Sequence, residues 1–514
     1  MPSFIEVCAN LKIALAFPYT LHPTPYTLLQ GALQTMSQNP EPETAGSTRR
    51  QFIQKTAVGA AAGVAATTAL SSLPTTAEAL RRLKGANDRI AVAHVGLGLQ
   101  GRNMHLRLLN ENSKDNNTES IALCDLYGRN LRDAQSKLTE YKTKGTISNS
   151  VSDGQLYTDY RKMLDNKNVD MVVIATSDNW HADIATAAIE SGKHVYCEKP
   201  MCKTLEEGFK LYDAVKKSKV KFQVGSQGCT DQRWHIAGKM VTDGKIGKLI
   251  VAQDSYMRGD NKVGEWNTDA WRAETDAGPT AAGDAHIDWE TFRKGKGPKE
   301  FDPDRYYHWR KYWEYGSGLI GDLLPHRLHP LFIAMGLPTE GLKGYPMRVS
   351  SQGGLYVQKV YPQDTPERKA YLAKYHEGKT DWPDREVPDF INISVDFEDC
   401  SLMAMASSIN EQGWTPTIRG NKATLFIGNT SVKLQPERQY ADEIDESEEQ
   451  NTGAGEDIAL HEKNLLDCIR GGGVPNANID LAMRVQVMVT LAELSYRQSK
   501  TFTFDPKTRK YTGA

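Results

Sequence analysis

Residues 89–101, Arg-Ile-Ala-Val-Ala-His-Val-Gly-Leu-Gly-Leu-Gln-Gly, constrain this chain more than any other stretch. A short apolar run at 90–95 delivers Gly96, Gly98 and Gly101 in G-x-G-x-x-G order, and a helix-compatible run follows at 102–109. That is strand, tight turn, helix. Gly96 allows the turn, Gly98 lets the backbone approach a diphosphate, and Gly101 lets helix pack closely on strand. A dinucleotide's diphosphate then meets the helix N-terminus, where unpaired N–H groups and the helix dipole favour an anion. Leu99 and Gln100, between the second and third glycines, belong to the same cofactor-binding turn.

Glycine turns also follow buried strands in folds that bind nothing, so context decides. A second apolar strand at 120–124 ends in Asp125, 24 positions after Gly101, close to where an acidic residue meets an adenosine ribose. Its carboxylate suits a ribose diol and repels a phosphate; the alternative is an Asp that caps the next turn. Arg129, four residues on, is suited to a 2′-phosphate. The expected cofactor is NAD, with NADP open.

The first 79 residues read as an address rather than as fold. Thr48-Arg49-Arg50-Gln51-Phe52-Ile53-Gln54-Lys55 is a twin-arginine pattern, residues 57–73 are uncharged and Ala-rich, and Ala77-Glu78-Ala79 is a small-residue cleavage signature. The expected signal is 36–79, with translation starting at Met36 and residues 1–35 untranslated. Export to the periplasm or cell envelope by the twin-arginine machinery follows, with a mature chain beginning near Leu80 and no membrane span in it. With Lys+Arg 62 against Asp+Glu 64, no nucleic-acid footprint is expected. Seven cysteines show no disulfide or zinc spacing.

Beyond Asp125, helix-like residues 129–141, a strand at 170–175, a loop at 176–181, a helix at 182–191 and a strand at 194–197 alternate. Such alternation implies a parallel sheet with right-handed crossovers, and ligands at the carboxyl ends of its strands. Asp125, the loop with Thr176, Asn179 and His181, and Glu198-Lys199-Pro200 all fall on that rim. Residues 390–396 and 401–407 alternate like adjacent strands of a second sheet, and the acidic run 442–449 reads as a solvated loop.

Four matches in order resemble the glucose-fructose oxidoreductase / inositol dehydrogenase (Gfo/Idh/MocA) family: Gly96 to Gly101 after a strand, Ala175-Thr-Ser-Asp-Asn-Trp-His181, Glu198-Lys199-Pro200, and Gly316-Ser-Gly-Leu-Ile-Gly-Asp322-x3-His326. The resemblance covers about 88–512. It implies an α/β fold: an N-terminal Rossmann dinucleotide-binding domain at 80–228, then an α+β domain with a mainly antiparallel open sheet at 229–514, often an oligomer interface. The second domain carries an insertion at about 256–315 containing Trp266, Trp271, Trp289, Trp309 and Trp313. Those tryptophans suit either carbohydrate stacking or anchoring of the insertion to the core.

The resemblance also implies roles. His326 is the base that takes a hydroxyl proton while hydride leaves carbon, Asp322 contacts or orients substrate, and His181 and Trp180 line the nicotinamide pocket. Lys199 is suited to donate from its ammonium to a substrate oxygen. Glu198 serves either Lys199 or the nicotinamide. At spacing i, i+4, Asp322 and His326 share a helix face, with Asp322 as N-cap and Pro325 in the first turn. The sequence departs from the family at Leu324, where glycine is usual, and at His329, where an acid is usual. Asp322, His326 and His329 as metal ligands is an alternative; the expected site holds none.

Three functions remain open on this reading. The first is an exported oxidoreductase acting on a sugar or cyclitol hydroxyl with a tightly held NAD(P), recycled by a second substrate. The second is redox-neutral glycoside cleavage on the same cofactor. The third is a non-catalytic sugar-binding relative. A homo-oligomer is expected in each.

Overall fold

The computed structural model describes residues 88–259, 274, 276–357, 369, 373 and 385–514. The expected leader, Trp266 and Trp271 lie outside the described residues.

The first sheet is parallel and six-stranded: β1 (Ile90–Val95), β2 (Thr118–Cys124), β3 (Leu156–Tyr157), β4 (Met171–Ile174), β5 (His194–Glu198) and β6 (Phe222–Gly225). Its order is β3-β2-β1-β4-β5-β6. Every residue of β4 is buried, as a strand covered on both faces requires. The strand order reverses between β1 and β4, so the ligand crevice of this Rossmann-type sheet opens beyond their carboxyl ends.

The second sheet is mainly antiparallel and has eleven strands: β7 (Leu249–Gly259), β8 (Arg348–Gly354), β9 (Phe390–Asp396), β10 (Ser401–Ser407), β11 (Ile409–Asn410), β12 (Thr417–Gly420), β13 (Ala423–Ile427), β14 (Ser431–Pro436), β15 (Ser447–Gln450), β16 (Phe502–Asp505) and β17 (Lys510–Gly513). β9 and β10 occupy the two runs expected from alternation and pair antiparallel, with Asp396 opposite Ser401 and Phe390 opposite Ser407. Ile391, Ile393 and Val395 of β9 and Leu402, Ala404 and Ala406 of β10 are buried, which fixes the covered face.

The helix Ile479–Gln498 ties the two layers together. Asn478 caps it, its side chain accepting from the Asp480 and Leu481 amides. The helix is buried almost all round, as its lack of a polar face dictates, and packs on both β8 and the helix Leu205–Lys217.

Several expectations need correction. Residues 178–181 are not loop: the helix Asp178–Glu190 starts there, because extended Ser177 already turns the chain out of β4. The first helix opens as a π-turn, Gly101–Leu106, before the α-helix Arg107–Glu111. Asp322 is not an N-cap. It ends the short helix Gly318–Asp322, and Pro325 opens a separate helix, Pro325–Ala334, at the position where proline's missing N–H costs nothing. The end of the acidic run is the exposed edge strand β15, paired with β14.

Candidate active site

The glycine turn is shaped by its neighbours. Gly96 has φ +84°, and a Cβ there would meet the Ala175 carbonyl oxygen at 2.5 Å. A Cβ on Gly101 would meet the Gly96 oxygen at 1.9 Å, whereas one on Gly98 would meet nothing within 4 Å. Two glycines thus satisfy packing and the third leaves open space above the backbone, the cradle a diphosphate fits. Leu99 is exposed at the turn, and Gln100 Nε2 donates to Glu198 Oε1 at 3.1 Å.

Asp125 braces the same turn. Its Oδ2 accepts from the Leu97 amide at 2.6 Å and its Oδ1 from the Tyr127 amide at 2.9 Å. Burial pushes its carboxyl above the usual range, against those bonds. Arg129 turns away to Glu274 and Asp276, donating to Asp276 Oδ1 at 2.9 Å. Residues 286–288 bond to the loop after β2: the Gly128 amide donates to the His286 oxygen at 3.3 Å and the Asp288 amide to the Leu126 oxygen at 3.0 Å. Trp289, Phe292, Tyr312 and Tyr315 form a buried aromatic cluster against Leu126. Among the described tryptophans, Trp289 is therefore an anchor of the insertion.

Glu198 ends β5 in a buried chain of charge. His105, from the π-turn, sits with Nε2 2.8 Å from Glu198 Oε1 and Nδ1 2.7 Å from Glu462 Oε1. Burial works against the imidazolium, but the bonds to both carboxylates outweigh it and raise His105 to about 10. Burial also opposes the Glu198 carboxylate, and His105 outweighs it, holding Glu198 at about 2.

One residue further on, Lys199 precedes Pro200 across a cis bond. Its Nζ donates to Asp322 Oδ1 and to the Asp322 carbonyl oxygen, both at 2.8 Å. Burial disfavours both charges. The pairing prevails, raising Lys199 above its ordinary value and holding Asp322, with help from Arg310, well below the carboxylate range. Arg310 Nε lies 3.4 Å from Asp322 Oδ1. Asp178 accepts from the Ser317 amide at 3.0 Å, and burial followed by the Asp322 charge raises it to about 7. His326 lies close enough for its charge to act on Asp322, with the Tyr256 ring stacked against it. The arrangement offers a fixed ammonium donor, a carboxylate that holds it and an imidazole for proton transfer.

The other expected residues make the following contacts. Both ring nitrogens of His181 face backbone carbonyls, Pro200 at 2.7 Å and Thr176 at 3.1 Å, so it braces two strand-end loops. Asn179 is buried, its Oδ1 accepting from the Ser177 hydroxyl at 2.7 Å, and Trp180 donates to the Phe292 oxygen at 3.1 Å. Starting the helix at Asp178 turns both under the insertion. Thr176 remains half-buried at the rim. His329 turns its Nδ1 onto the Pro325 oxygen at 2.9 Å, back along its own helix. Sequence reasoning missed His105, Asp178, Tyr256, Arg310 and Glu456, whose Oε1 lies 3.3 Å from His326 Nδ1; only Asp178 lay inside a motif.

Residues 90–226 match the model of the GFO_IDH_MocA family, described as an oxidoreductase family with an NAD-binding Rossmann fold. Levoglucosan dehydrogenase of Pseudarthrobacter phenanthrenivorans is 34% identical over 133 residues, 25% of this chain and 33% of that protein. Glycosyl hydrolase family 109 protein 2 of Shewanella sp. (strain ANA-3) is 28% identical over 238 residues, 43% of this chain and 50% of that protein. These matches thus span a third to a half of the curated relatives' length. An oxidoreductase domain protein from Kribbella flavida shares the fold, with TM-score 0.56 at 18% identity, over 80% of this chain and 98% of that one. The family match thus lies on the parallel-sheet domain, and the curated relatives are similar to this chain over part of their length.

Proposed function

We propose that the protein is an exported NAD-dependent oxidoreductase acting on a CH–OH group of a sugar or cyclitol. The observation that carries the reading is the Lys199–Asp322 pair with His326 beside it, on the Glu-Lys-Pro strand end next to the glycine cradle. Nicotinamide, when bound, supplies the hydride acceptor or donor. Lys199 donates to the substrate oxygen and steadies the charge that develops on it. Asp322 holds Lys199 charged and aimed, and His326 takes the hydroxyl proton.

NAD is favoured over NADP because Arg129, the cation the sequence offers to a 2′-phosphate, is already engaged by Glu274 and Asp276. The insertion's bonds to residues 126–128 beside Asp125 support a tightly held cofactor. A twin-arginine leader fits this, since free nicotinamide cofactor is scarce outside the cytoplasm and a bound one is recycled by a second substrate. In β9 and in β10 as far as Met405, the residues that alternate with the buried ones keep some exposure, a face suited to a second copy of the chain.

Protein purified without added nucleotide tests the reading. Acid denaturation should release roughly one NAD per chain, and turnover of two polyols should be ping-pong. No released or rebound nucleotide would sink it, and rapid exchange in a sequential mechanism would remove the recycling.

A second reading is redox-neutral glycoside cleavage, favoured by the greater length of the glycosyl hydrolase match. Product release from a glycoside at many turnovers with no added acceptor would select it.

A further inference from the structure

The His326 ring is held from several sides. Tyr256 of β7 stacks on it with centroids 5.1 Å and planes 23° apart. Asp322 and His329 feel its charge from the preceding helix and from its own. Lys199 enters the same cluster through Asp322. Another neighbour comes from far along the chain: Oε1 of Glu456, in the segment Thr-Gly-Ala-Gly-Glu-Asp, lies 3.3 Å from His326 Nδ1.

We propose that Glu456 is the positioning residue of His326, its carboxylate taking the Nδ1–H of the neutral ring and so leaving the lone pair on Nε2 as the base. The inference rests on reading His326 as the proton acceptor. An imidazole has two tautomers, and the partner of one nitrogen decides which atom carries the lone pair. A base with the wrong tautomer is present but idle.

Among the described residues, Glu456 is the carboxylate within ion-pair distance of the His326 ring. Asp322 is committed to Lys199 and Arg310. His329, three residues after His326, is not an acid, and its ring is spent on the Pro325 oxygen. Glu456 is ready for the part. Burial opposes its charge, but His326, Arg327 and Arg233 outweigh burial and hold it below the usual carboxylate range. Its second oxygen faces Arg327 Nη1 at 3.8 Å, so the carboxylate is oriented from both sides. Arg327 itself stacks over Tyr256 at 4.9 Å and faces buried Asp254 at 4.0 Å.

The backbone under Glu456 is fixed as well. The next residue, Asp457, caps the helix Ile458–Gly471 by accepting from the Leu460 amide at 3.0 Å. On the other side Asn451 donates to Asp231 at 3.1 Å. Nδ1 has no aligned hydrogen bond at 3.3 Å. A small rotation of the ring or the carboxylate aligns one, as catalytic bonds align on binding substrate.

The test is ring ¹⁵N NMR of the full chain, as purified, grown with ¹⁵N-histidine, with His326→Asn identifying the His326 signals. At pH 8 the parent should show a protonated Nδ1 and a bare Nε2. Glu456→Met should shift the tautomer ratio toward Nε2–H by about tenfold or more, the value of a charge-assisted hydrogen bond. Glu456→Gln, which keeps size and an acceptor oxygen, should fall between them. A parent ring protonated on Nε2, or a ratio unchanged in the variants, overturns the proposal, and the parent spectrum alone is enough for that. The readout needs no turnover, so its failure is separate from failure to release a nucleotide.

Discussion

Lys199 and Asp322 meet across 123 residues of sequence, and the ammonium touches both the carboxylate and the main-chain oxygen of its partner at 2.8 Å. The double contact fixes where Nζ points. It also makes Lys199 a hydrogen-bond donor that keeps its proton rather than a base, because its charged form is the one stabilised.

Lys199→Met should therefore lower turnover by about 10²–10⁴-fold while leaving nucleotide release on denaturation unchanged. It also strands the Asp322 charge, for which breaking a buried pair costs about 3–5 kcal/mol, less here because Arg310 remains. Kinetics and melting temperature on one sample separate the two effects. Normal turnover in the variant would remove Lys199 from the chemistry.

The glycines make a paired prediction. Gly101→Ala pushes a methyl into the Gly96 carbonyl and should destabilise the fold, whereas Gly98→Ala adds one into open space. The second variant should melt like the parent yet retain little nucleotide. If it keeps a full complement, the diphosphate does not pass over Gly98.

Releasing Arg129 should change cofactor preference. The double variant Glu274→Gln, Asp276→Asn removes both carboxylates from the guanidinium. Affinity for NADP should rise several-fold, measured by calorimetry on nucleotide-free protein, with NAD affinity little changed. Equal effects on both would show that Arg129 does not face the 2′ position.

Stability against pH should carry the mark of His105. Its folded value, about 10, lies above the ordinary 6.5, so its contribution is complete below pH 6.5 and is lost as pH rises toward 10. Glu198, held at about 2, contributes fully above its ordinary 4.5 and loses that as pH falls toward 2. In His105→Gln the alkaline decline in melting temperature should flatten. A parallel decline in parent and variant would assign it to other groups.

Much of this was legible in the sequence because it is local. The strand–turn–helix at 89–101, the alternation in 390–396 and 401–407, and Glu198-Lys199-Pro200 each declare themselves within a dozen residues. The start of the helix at Asp178 was not legible, since Ser-Asp-Asn reads equally as loop and as first turn. Nor was the break between Asp322 and His326, since a proline in a first turn fits one helix capped by Asp322 as well as a second helix opening at Pro325. His105 and Glu456 carry no motif, and their partners lie 93 residues and more away along the chain.

The bonds from residues 286–288 to Leu126 and Gly128 form a small ladder over the loop that follows Asp125. On the proposed reading, a nucleotide whose ribose rests on Asp125 is covered by that ladder and leaves only after it parts. Its residence time is then set by the opening rate of the protein segment rather than by the strength of the ligand's own contacts. Oxidised and reduced cofactor are expected to escape at nearly the same slow rate, and escape should accelerate steeply with temperature, as unfolding reactions do.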